Sequence, residues 1–370
     1  MFKAEELFQN ITDKNHPDET VLTIIQGKGT LPREQAGRNI HYDDASLSNY
    51  KKVEQGDFII HLRSFEGGLE MANEVGIVSP AYTILRCKRP HSSLFYDAYF
   101  HTDEFINHNL SKSVEGIRDG RQISYEAFKW LRIPYCEPTE QEKISNLFAA
   151  LNERIAKQRD LIEALKKYKR GVMRAIFRDK SFVFSKATVW KSIRLGDECV
   201  FFSGGTPKST DSSYYGGSIP FNRSGEIHGE KTELFLSEAG LQNSSAKMVS
   251  KGDLLIALYG ATSGEVDISK IDGAINQAIL CIRPYDMSKQ YLRYLLEDSK
   301  DDIIKTYLQG GQGNLSAEII KNLRVDIPDS TDQSSVVEFL SMIERRIEMS
   351  IAECEQIQAM KRSSLQQLFI

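Results

Sequence analysis

The chain has 370 residues, of which 41% are hydrophobic and 26% charged, and this composition is typical of a globular protein with room for two domains. Its net charge of −4 argues weakly against the nucleic-acid-binding classes, which are often basic. Five scattered cysteines without a CxxC pair and seven histidines without ligand spacing argue against a zinc site, and the sequence has no apolar run of the ~18 residues that a membrane span needs.

The first predicted domain covers residues 1–138. "DFIIHL" from Asp57 and "AYTILR" from Ala81 are short apolar runs bounded by turn residues, which is typical of strands. The start, "MFKAEELFQNITDKNHPDE", lacks the apolar segment of a signal peptide, and unpaired cysteines suit a reducing compartment, so we expect a cytoplasmic protein. We predict a β-rich α/β domain here.

A long helix is predicted over residues 139–185. Thr139 is its expected N-cap, and the helix from Thr139 to Phe177 would span ~58 Å. Apolar residues recur in steps of four and three, which is a coiled-coil seam: Ile144, Phe148, Leu151, Ile155, Gln158, Ile162 and Leu165. The basic run "LKKYKRGVMRAIFRDK" near its end is either a solvated face or a track for phosphates.

The second half of the chain predicts the same two elements. Residues 186–330 contain the strand candidates "DLLIAL" and "AILCIR" and the turn-rich stretch "FFSGGTPKSTDSSYYGGSIPF". Residues 331–370 form a second long helix with Thr331 as its expected N-cap. Its seam is Val336, Leu340, Ile343, Ile347, Ser350, Cys354 and Ile357.

These similarities reflect an internal repeat. With Ile123 aligned to Leu315, Ser124 matches Ser316 and Gln141 matches Gln333, and the two seams share one phase. We therefore predict a mixed α/β protein in which two β-rich α/β domains are separated by two long antiparallel coiled-coil helices, with an internal pseudo-two-fold. In such a pair Gln158 and Ser350, the polar interruptions of the two seams, are expected to meet.

Two domains held apart by a rigid spacer suit a target with two recognition points at a fixed separation. Double-stranded DNA is the best candidate, because protein geometry sets half-site spacing. The two domains share their framework and differ in their loops, so the expected site is asymmetric and bipartite.

The chain resembles the specificity subunit of type I restriction–modification enzymes over essentially its whole length. The resemblance rests on "RLGDECVFFSGGTPKSTDSSYYGGSIPFNRSGEI", "KGDLLIALYGATSGEVDI", "GAINQAIL" and "NLSAEIIKNLRVDIP" in the second half, and on "IQGKGTLPRE" and "GDFIIHLRSFEGGLEMANEVGIVSPAY" in the first. It implies a non-catalytic subunit with two target-recognition domains. It also implies two modification subunits docked on the central helices and restriction subunits that join them. S-adenosylmethionine, ATP and Mg²⁺ would then be bound by those partners and not by this chain.

Residues that contact DNA should be donors and acceptors on loops that can enter a groove. In the second domain we predict this role for Gly205, Thr206, Lys208, Tyr214, Asn222, Arg223, Ser224, Tyr259, Thr262, Ser263 and Gln312. In the first domain the candidates are Lys28, Arg33, Arg38, Arg63 and Ser64. The predicted contacts of the helices are the seam residues Ile144, Phe148, Leu151, Ile155, Gln158, Ile162, Leu340, Ile343, Ile347, Ser350 and Ile357.

Two alternatives remain at this point. "SPAY" at Ser79 resembles a tetrapeptide of adenine methyltransferases, but the aligned place in the second copy reads "NQAI", and no glycine-rich loop offers a methyl-donor pocket, so we interpret it as strand framework. The other alternative is a non-catalytic coiled-coil scaffold whose two domains bind proteins, with which the net charge of −4 is compatible.

Overall fold

The computed structural model describes residues 1–36, 44–116, 122–181, 188–308 and 314–369. The predicted site residues Arg38 and Gln312 lie outside these ranges. The chain divides into two compact units: unit 1 is Met1–Asp160 with Ile351–Ile370, and unit 2 is Leu161–Ser350. Each long helix therefore contributes one segment to each unit.

Unit 1 is a mixed α/β unit with short strands. Its elements, in chain order, are β1 (Phe2–Lys3), α1 (Ala4–Leu7), β2 (Phe8–Ile11), β3 (Leu22–Ile25), β4 (Gly29–Pro32), β5 (Lys51–Val53), β6 (Phe58–Ile60), α2 (Ser64–Gly67), β7 (Glu70–Met71), β8 (Gly76–Val78), β9 (Thr83–Cys87), α3 (Ser93–Phe100), β10 (Val114–Glu115), β11 (Gln122–Ile123), α4 (Tyr125–Phe128), β12 (Arg132–Ile133) and the first part of α5 (Pro138–Phe177).

Unit 2 has longer strands in the same arrangement. Its elements are β13 (Lys191–Arg194), α6 (Leu195–Glu198), β14 (Cys199–Ser203), β15 (Tyr215–Asn222), β16 (Leu234–Leu236), α7 (Glu238–Gln242), β17 (Lys247–Val249), β18 (Leu254–Ala257), β19 (Val266–Ile268), β20 (Gly273–Ile275), β21 (Ile279–Pro284), α8 (Lys289–Leu308), α9 (Ala317–Asn322), β22 (Arg324–Ile327) and the first part of α10 (Ser330–Leu368).

The sheet topology repeats between the units, which confirms the predicted duplication of the fold. The order β2-β9-β6-β7 in unit 1 corresponds to β14-β21-β18-β19 in unit 2, and the pair β1-β12 corresponds to β13-β22. The second sheet of unit 2, β16-β15-β20-β17, has a parallel pair, β15 with β20, at its centre. In unit 1 the antiparallel pair β5-β8 corresponds to β17-β20 of unit 2, and an isolated parallel bridge joins Val21 to Ile77.

An aspartate–arginine pair fixes the central strands of each copy. Arg86 donates to Asp57 through Nε (2.8 Å) and Nη2 (2.6 Å), and Arg283 donates to Asp253 in the same fashion at 3.1 and 2.6 Å. In unit 2, Lys289 adds a third cation contact at 2.9 Å. Both carboxylates are almost fully buried, so each depends on these bonds for its charge to be tolerated.

A buried glutamine in the first turn of each long helix connects that helix to its domain. Gln141 accepts from the amide of Ser92 (2.9 Å) and donates to the carbonyl of Cys136 (2.8 Å). The second copy repeats both bonds with Gln333, the amide of Ser288 (3.1 Å) and the carbonyl of Pro328 (3.0 Å). The repeated sequence around these glutamines is therefore explained by a repeated junction.

The predicted N-caps Thr139 and Thr331 are wrong, because both residues lie inside their helices. Helix α10 is capped by Asp329, whose Oδ1 accepts from the amides of Thr331 (2.9 Å) and Asp332 (3.0 Å). Helix α5 begins at Pro138, and a proline at the first helical position loses no hydrogen bond since that amide would be unpaired.

The predicted seam residues lie on the less exposed faces of the two helices. Phe148, Leu151, Ile155 and Ile162 are buried on α5, and Val336, Leu340, Ile343, Ile347, Ser350, Cys354 and Ile357 are buried on α10; Ile144, Gln158 and Leu165 are half-buried.

The helix segments run antiparallel within each unit. In unit 1, Phe148 stacks near Phe369 (6.3 Å) while Arg154 pairs with Glu353 (2.9 Å), so contacts advance along α5 as they retreat along α10. In unit 2, Val172 and Ile176 share one core with Val336 and Leu340. Gln158 and Ser350 belong to different units, and their predicted meeting stays a prediction.

Candidate nucleic-acid interface

Two polar loops of unit 2 converge on Gln277, a residue that the sequence analysis did not select. The exposed Gln277 follows β20, and its Oε1 accepts from Thr206 Oγ1 at 2.6 Å. Tyr259 lies near enough to the same amide for Gln277 to lower the pKa of its hydroxyl. The predicted loops Gly204–Lys208 and Tyr259–Ser263 thus both lie next to this one side chain. The sequence did contain a signal for Gln277: it lies in the "NQAI" motif, which aligns with "SPAY" of the first copy.

Glycines shape the loop that carries Thr206. A Cβ at Gly204 would lie 1.7 Å from the carbonyl oxygen of Ile275, and one at Gly205 would lie 1.8 Å from Ser245 Oγ. Only glycine permits this close approach to the strand ends. Gly205 is consequently buried, which corrects its prediction as a surface contact, while Thr206 and Lys208 are exposed.

Asn222 is the last residue of β15, and its burial corrects its prediction as a DNA contact. It is only 1% exposed, because β15 lies between β16 and β20 in the sheet. Its main-chain oxygen accepts from the Asn276 amide at 3.3 Å. Among the described residues, none forms a hydrogen bond with its Oδ1. As folded, Asn222 supports the ends of the two parallel strands rather than facing a groove.

Arg223 is committed to two carboxylates of its own unit. Its Nε donates to Glu226 (3.0 Å) and its Nη2 to Glu233 (2.6 Å), and these bonds raise the pKa of Arg223 above its usual value. Burial raises the pKa of Glu226, but Arg223 and two backbone amides outweigh it and leave that pKa lowered. Arg223 was predicted to contact DNA, and in this structure its guanidinium pairs with carboxylates of its own unit instead; the adjacent Ser224 is half-buried at the start of a 3₁₀ turn.

The remaining predicted DNA contacts of unit 2 are less exposed than Thr206 and Lys208. Ser263 Oγ donates to the carbonyl of Leu258 at 3.1 Å, which closes the turn that Tyr259 opens. Tyr214, Tyr259 and Thr262 are half-buried. Burial raises the pKa of the Tyr259 hydroxyl, and the bond to Gln277 opposes this only in part. Tyr259 thus stays a neutral phenol near neutral pH.

In unit 1, a buried carboxylate holds the hairpin that carries Lys28. Glu70 accepts from the amides of Gly27 (2.6 Å) and Gly29 (2.8 Å), at the two sides of Lys28 in the β3–β4 turn. Its side chain has no exposure, and His101 Nε2 lies 3.4 Å away. Lys28 itself is exposed, as a residue that contacts DNA must be.

The charges of this cluster depend on one another. Burial opposes protonation of His101, but Glu70 and Asp97 outweigh it and raise the pKa of His101 to about 9. Burial also raises the pKa of Glu70, and the His101 and glycine N–H bonds overcome it, so the pKa of Glu70 is lowered. The hairpin tip is therefore held by an ionised Glu70 next to a protonated His101 at neutral pH.

The remaining candidates of unit 1 are not equivalent. Arg63 is exposed at the start of α2, and Arg33 is half-buried in a 3₁₀ turn after β4. Ser64 is fully buried and its Oγ accepts from the amide of His61 at 2.9 Å, so its prediction as a DNA contact is corrected. A hydroxyl used inside α2's first turn has no access to a groove.

Comparisons with known proteins show what this chain is similar to. Residues 188–359 match the family described as "Type I restriction modification DNA specificity domain". The chain is 25% identical over 255 residues to the putative type I restriction enzyme MjaX specificity subunit of Methanocaldococcus jannaschii, covering 65% of this chain and 59% of that protein. It is 23% identical over 335 residues to the MjaVIII specificity subunit of the same organism, covering 84% and 77%. The chain is thus similar to type I restriction enzyme specificity subunits, and its second half matches their DNA specificity domain.

Solved structures show that the specificity-subunit fold extends over the whole chain. The HsdS subunit from Thermoanaerobacter tengcongensis matches with a TM-score of 0.53 at 17% identity, covering 100% of this chain and 95% of that one. The S subunit of a type I restriction-modification system from M. genitalium matches with 0.58 at 15% identity, with 100% and 95% covered. A chain from a study of complex assembly and conformational transition of the type I R-M system gives 0.61 at 18% identity, with 99% and 96% covered.

The basic run near the end of α5 is largely neutralised inside unit 2. Lys169 contacts both Glu297 and Glu344 at 2.7 Å, and Arg178 contacts Asp298 at 2.7 Å. These pairs tie the end of α5 to α8 and α10. The sequence left two interpretations of the basic run open, a solvated face or a track for phosphates. Lys169 and Arg178 fit neither, because both cations pair with carboxylates inside unit 2.

Glu344 is the centre of that ion-pair network. It accepts from Arg293 Nη2 at 2.7 and 2.6 Å and from the Tyr294 hydroxyl at 2.6 Å. Burial raises the pKa of Glu344, but Arg293 and Lys169 outweigh it and leave that pKa lowered. The network fixes how the segments of α5 and α10 in unit 2 pack against α8.

Within the described ranges, the structure contains neither a group of three metal-ligating side chains nor a helix long and apolar enough to cross a membrane.

Proposed function

We propose that this chain is the DNA specificity subunit of a type I restriction–modification complex. It reads an asymmetric bipartite site with one half-site per recognition domain, and it is itself non-catalytic. The observation that carries the proposal is a duplicated framework with unlike loops, in a chain whose second half matches the DNA specificity domain. Because the framework is shared and the loops differ, each domain presents a different set of donors and acceptors.

The partners are two modification subunits docked on the central helices, together with the restriction subunits. The helices support this, since they expose apolar side chains that their own seams do not use: Tyr168, Met342, Met349 and Met360, each about half exposed. Contiguous exposed apolar patches mark interaction surfaces, and we assign these four side chains to the surface that the modification subunits cover. S-adenosylmethionine, ATP and Mg²⁺ are assigned to the partner subunits, and the complex acts in the cytoplasm.

A domain exchange tests the proposal. Residues Ser203 to Asp286 would be replaced by the corresponding segment of another specificity subunit, and methylated adenines would be mapped in DNA from cells that carry the complex. We expect the recognised sequence to change in one half-site while the other half-site and the modification activity persist.

An unchanged methylation map with an assembled complex would contradict the proposal and would favour the scaffold alternative, in which the domains bind proteins. The control is an exchange of the exposed α10 residue Gln356 for Ala, which should leave the map as it is. If the large exchange prevents the complex from assembling, methylation is lost at all sites. A shorter exchange, limited to the Gly204–Lys208 loop, then applies the same test.

A further inference from the structure

Unit 2 contains a cleft of about 640 Å³ that is lined by parts of α5, α8 and α10 and by the residues just before β18 and around the end of β19. Most of its charged lining residues already have an ion-pair partner. These paired residues are Lys166, Lys169, Asp267, Arg293, Glu297 and Glu344. They stabilise the walls of the cleft and leave little charge for a ligand.

Three exposed cations of the same lining have no carboxylate partner. They are Arg170 on α5, Lys251 before β18 and Lys270 after β19. In the part of the chain that the structure describes, no carboxylate lies within ion-pairing distance of their charged groups, and Lys270 Nζ donates to the carbonyl oxygen of His228 at 3.0 Å. The exposed Glu348 is a lining carboxylate that likewise has no cation partner among the described residues. Three unpaired cations and one unpaired carboxylate leave the cleft with an excess of two positive charges.

This charge belongs to the second copy of the fold and not to the shared framework. The backbone bond from Gly252 to Ser269 has its equivalent in the bond from Gly56 to Ala72. Lys251 and Lys270 are the neighbours of Gly252 and Ser269, so the first copy has Gln55 and Asn73 at their places. The framework therefore explains the shape of the cleft but not its two lysines.

The two lysines lie at the opposite end of the β18–β19 hairpin from the predicted DNA contacts. The turn that joins the strands carries Tyr259 and Ser263, whereas Lys251 precedes β18 and Lys270 follows β19. At ~3.3 Å per residue, the four residues of β18 separate the two ends by about 13 Å. The cleft volume equals that of a cube with an edge of about 9 Å, which is narrower than the ~12 Å major groove of one duplex. Both observations favour a protein segment over DNA as its occupant.

The cleft adjoins the helix surface that we assign to the modification subunits. Tyr168 on α5 precedes the lining residue Lys169, and Met349 on α10 follows the lining residue Glu348; both Tyr168 and Met349 are about half exposed. A partner that covers these two side chains reaches the edge of the cleft. Ile347 adds apolar lining, and an apolar centre with a charged rim is typical of protein–protein interfaces.

We propose that this cleft is a docking site for an acidic segment of a modification subunit, whose Asp or Glu side chains pair with Arg170, Lys251 and Lys270. Excess positive charge at a rim is complementary to such a segment and favours its association. The inference rests on the proposed function and deepens it, since it names the chemistry of one contact between the partners. Only one of the two modification subunits makes this contact, because the first copy lacks both lysines.

The first test uses the complex assembled with both modification subunits, diluted in steps and weighed by mass photometry. An exposed ion pair changes affinity by about 1.5- to 5-fold. Lys251→Ala/Lys270→Ala should therefore release one modification subunit, and not both, at a concentration about 2- to 25-fold higher than wild type. The difference should disappear at ~1 M salt, where the screening length is about 3 Å.

Lys247→Ala/Lys305→Ala is the matched control, because it removes the same charge from exposed positions of unit 2 outside the cleft and should dissociate like wild type. The second test uses the wild-type complex and a carbodiimide, which couples a lysine amine to a carboxylate that touches it. Mass spectrometry should find Lys251 or Lys270 joined to an Asp or Glu of a modification subunit.

The inference is overturned if the double variant dissociates like wild type at low salt, or if the carbodiimide joins neither lysine to a modification subunit while it joins other pairs. Weaker DNA binding with unchanged assembly would also overturn it and would assign the cleft to phosphates. If the Gly204–Lys208 exchange shifts the methylation map while the double variant assembles like wild type, only this inference fails. If the wild-type chain forms no complex with modification subunits, the proposed function fails with it.

Discussion

The buried glutamines at the helix junctions provide a sharp test of the duplicated fold. In Gln333→Ala the amide of Ser288 and the carbonyl of Pro328 both lose their partner, and both atoms lie beside a side chain that is 5% exposed. Each net hydrogen bond contributes about 1 kcal/mol, and a buried group left unpaired costs about 1–3 kcal/mol. Water can reach part of the space left by truncation, so we expect a loss of about 2–4 kcal/mol in the local opening free energy.

Hydrogen exchange measured by mass spectrometry locates the effect. With a tenfold change in rate for every 1.4 kcal/mol, the amide of Ser288 and the first turn of α10 should exchange about 30- to 700-fold faster. Gln141→Ala should produce the same change around Ser92, because Gln141 makes the same two bonds and has no exposure.

The control for this prediction is Gln356→Ala, on the exposed face of the same helix, which should change exchange by less than about 0.5 kcal/mol. The reasoning is refuted if Gln333→Ala is as mild as this control, or if its effect appears in peptides of unit 1 instead of unit 2.

Three further predictions follow from side chains at the sites. The pKa of His101, about 9 when folded and ~6.5 unfolded, predicts stability that is complete below pH ~6.5 and lost as pH rises through 9. The melting temperature of unit 1 should thus fall between pH 7 and 9.5, and His101→Gln should flatten that fall; parallel curves would contradict it. Glu344→Gln should cost about 2–4 kcal/mol in urea unfolding because Lys169 and Arg293 are nearly buried, whereas Glu353→Gln, an exposed pair, should cost under about 1 kcal/mol; equal costs would refute the network's role. Gly204→Ala should abolish reading of one half-site through its collision with Ile275, while Gly225→Ala, with open space at its Cβ, should keep it; methylation mapping separates them, and an intact map for Gly204→Ala would refute the loop argument.

The predicted site residues diverge from the structure where a side chain's partner is far away in sequence. Arg223 was chosen as an exposed cation beside a strand end, but Glu233 neutralises it ten residues later. Ser64 and Asn222 were chosen as polar loop residues and are buried. Gln277 was missed because its bond to Thr206 joins residues separated by 71 positions. The predicted N-caps failed for a local reason, since Asp329 is a better cap than Thr331 and precedes it.

The sequence by itself determined the duplication, the strands and the two helix seams. These features follow from periodicity and short-range pattern, which are properties of neighbouring residues and do not depend on the rest of the fold. Only the tertiary structure decided which polar groups are available for recognition. Burial and ion pairing between distant residues removed Ser64, Asn222 and Arg223 from the surface set, and packing of Gly204 against Ile275 brought Thr206 to Gln277. Such close contacts depend on how strands and loops meet in space, and no local pattern encodes that.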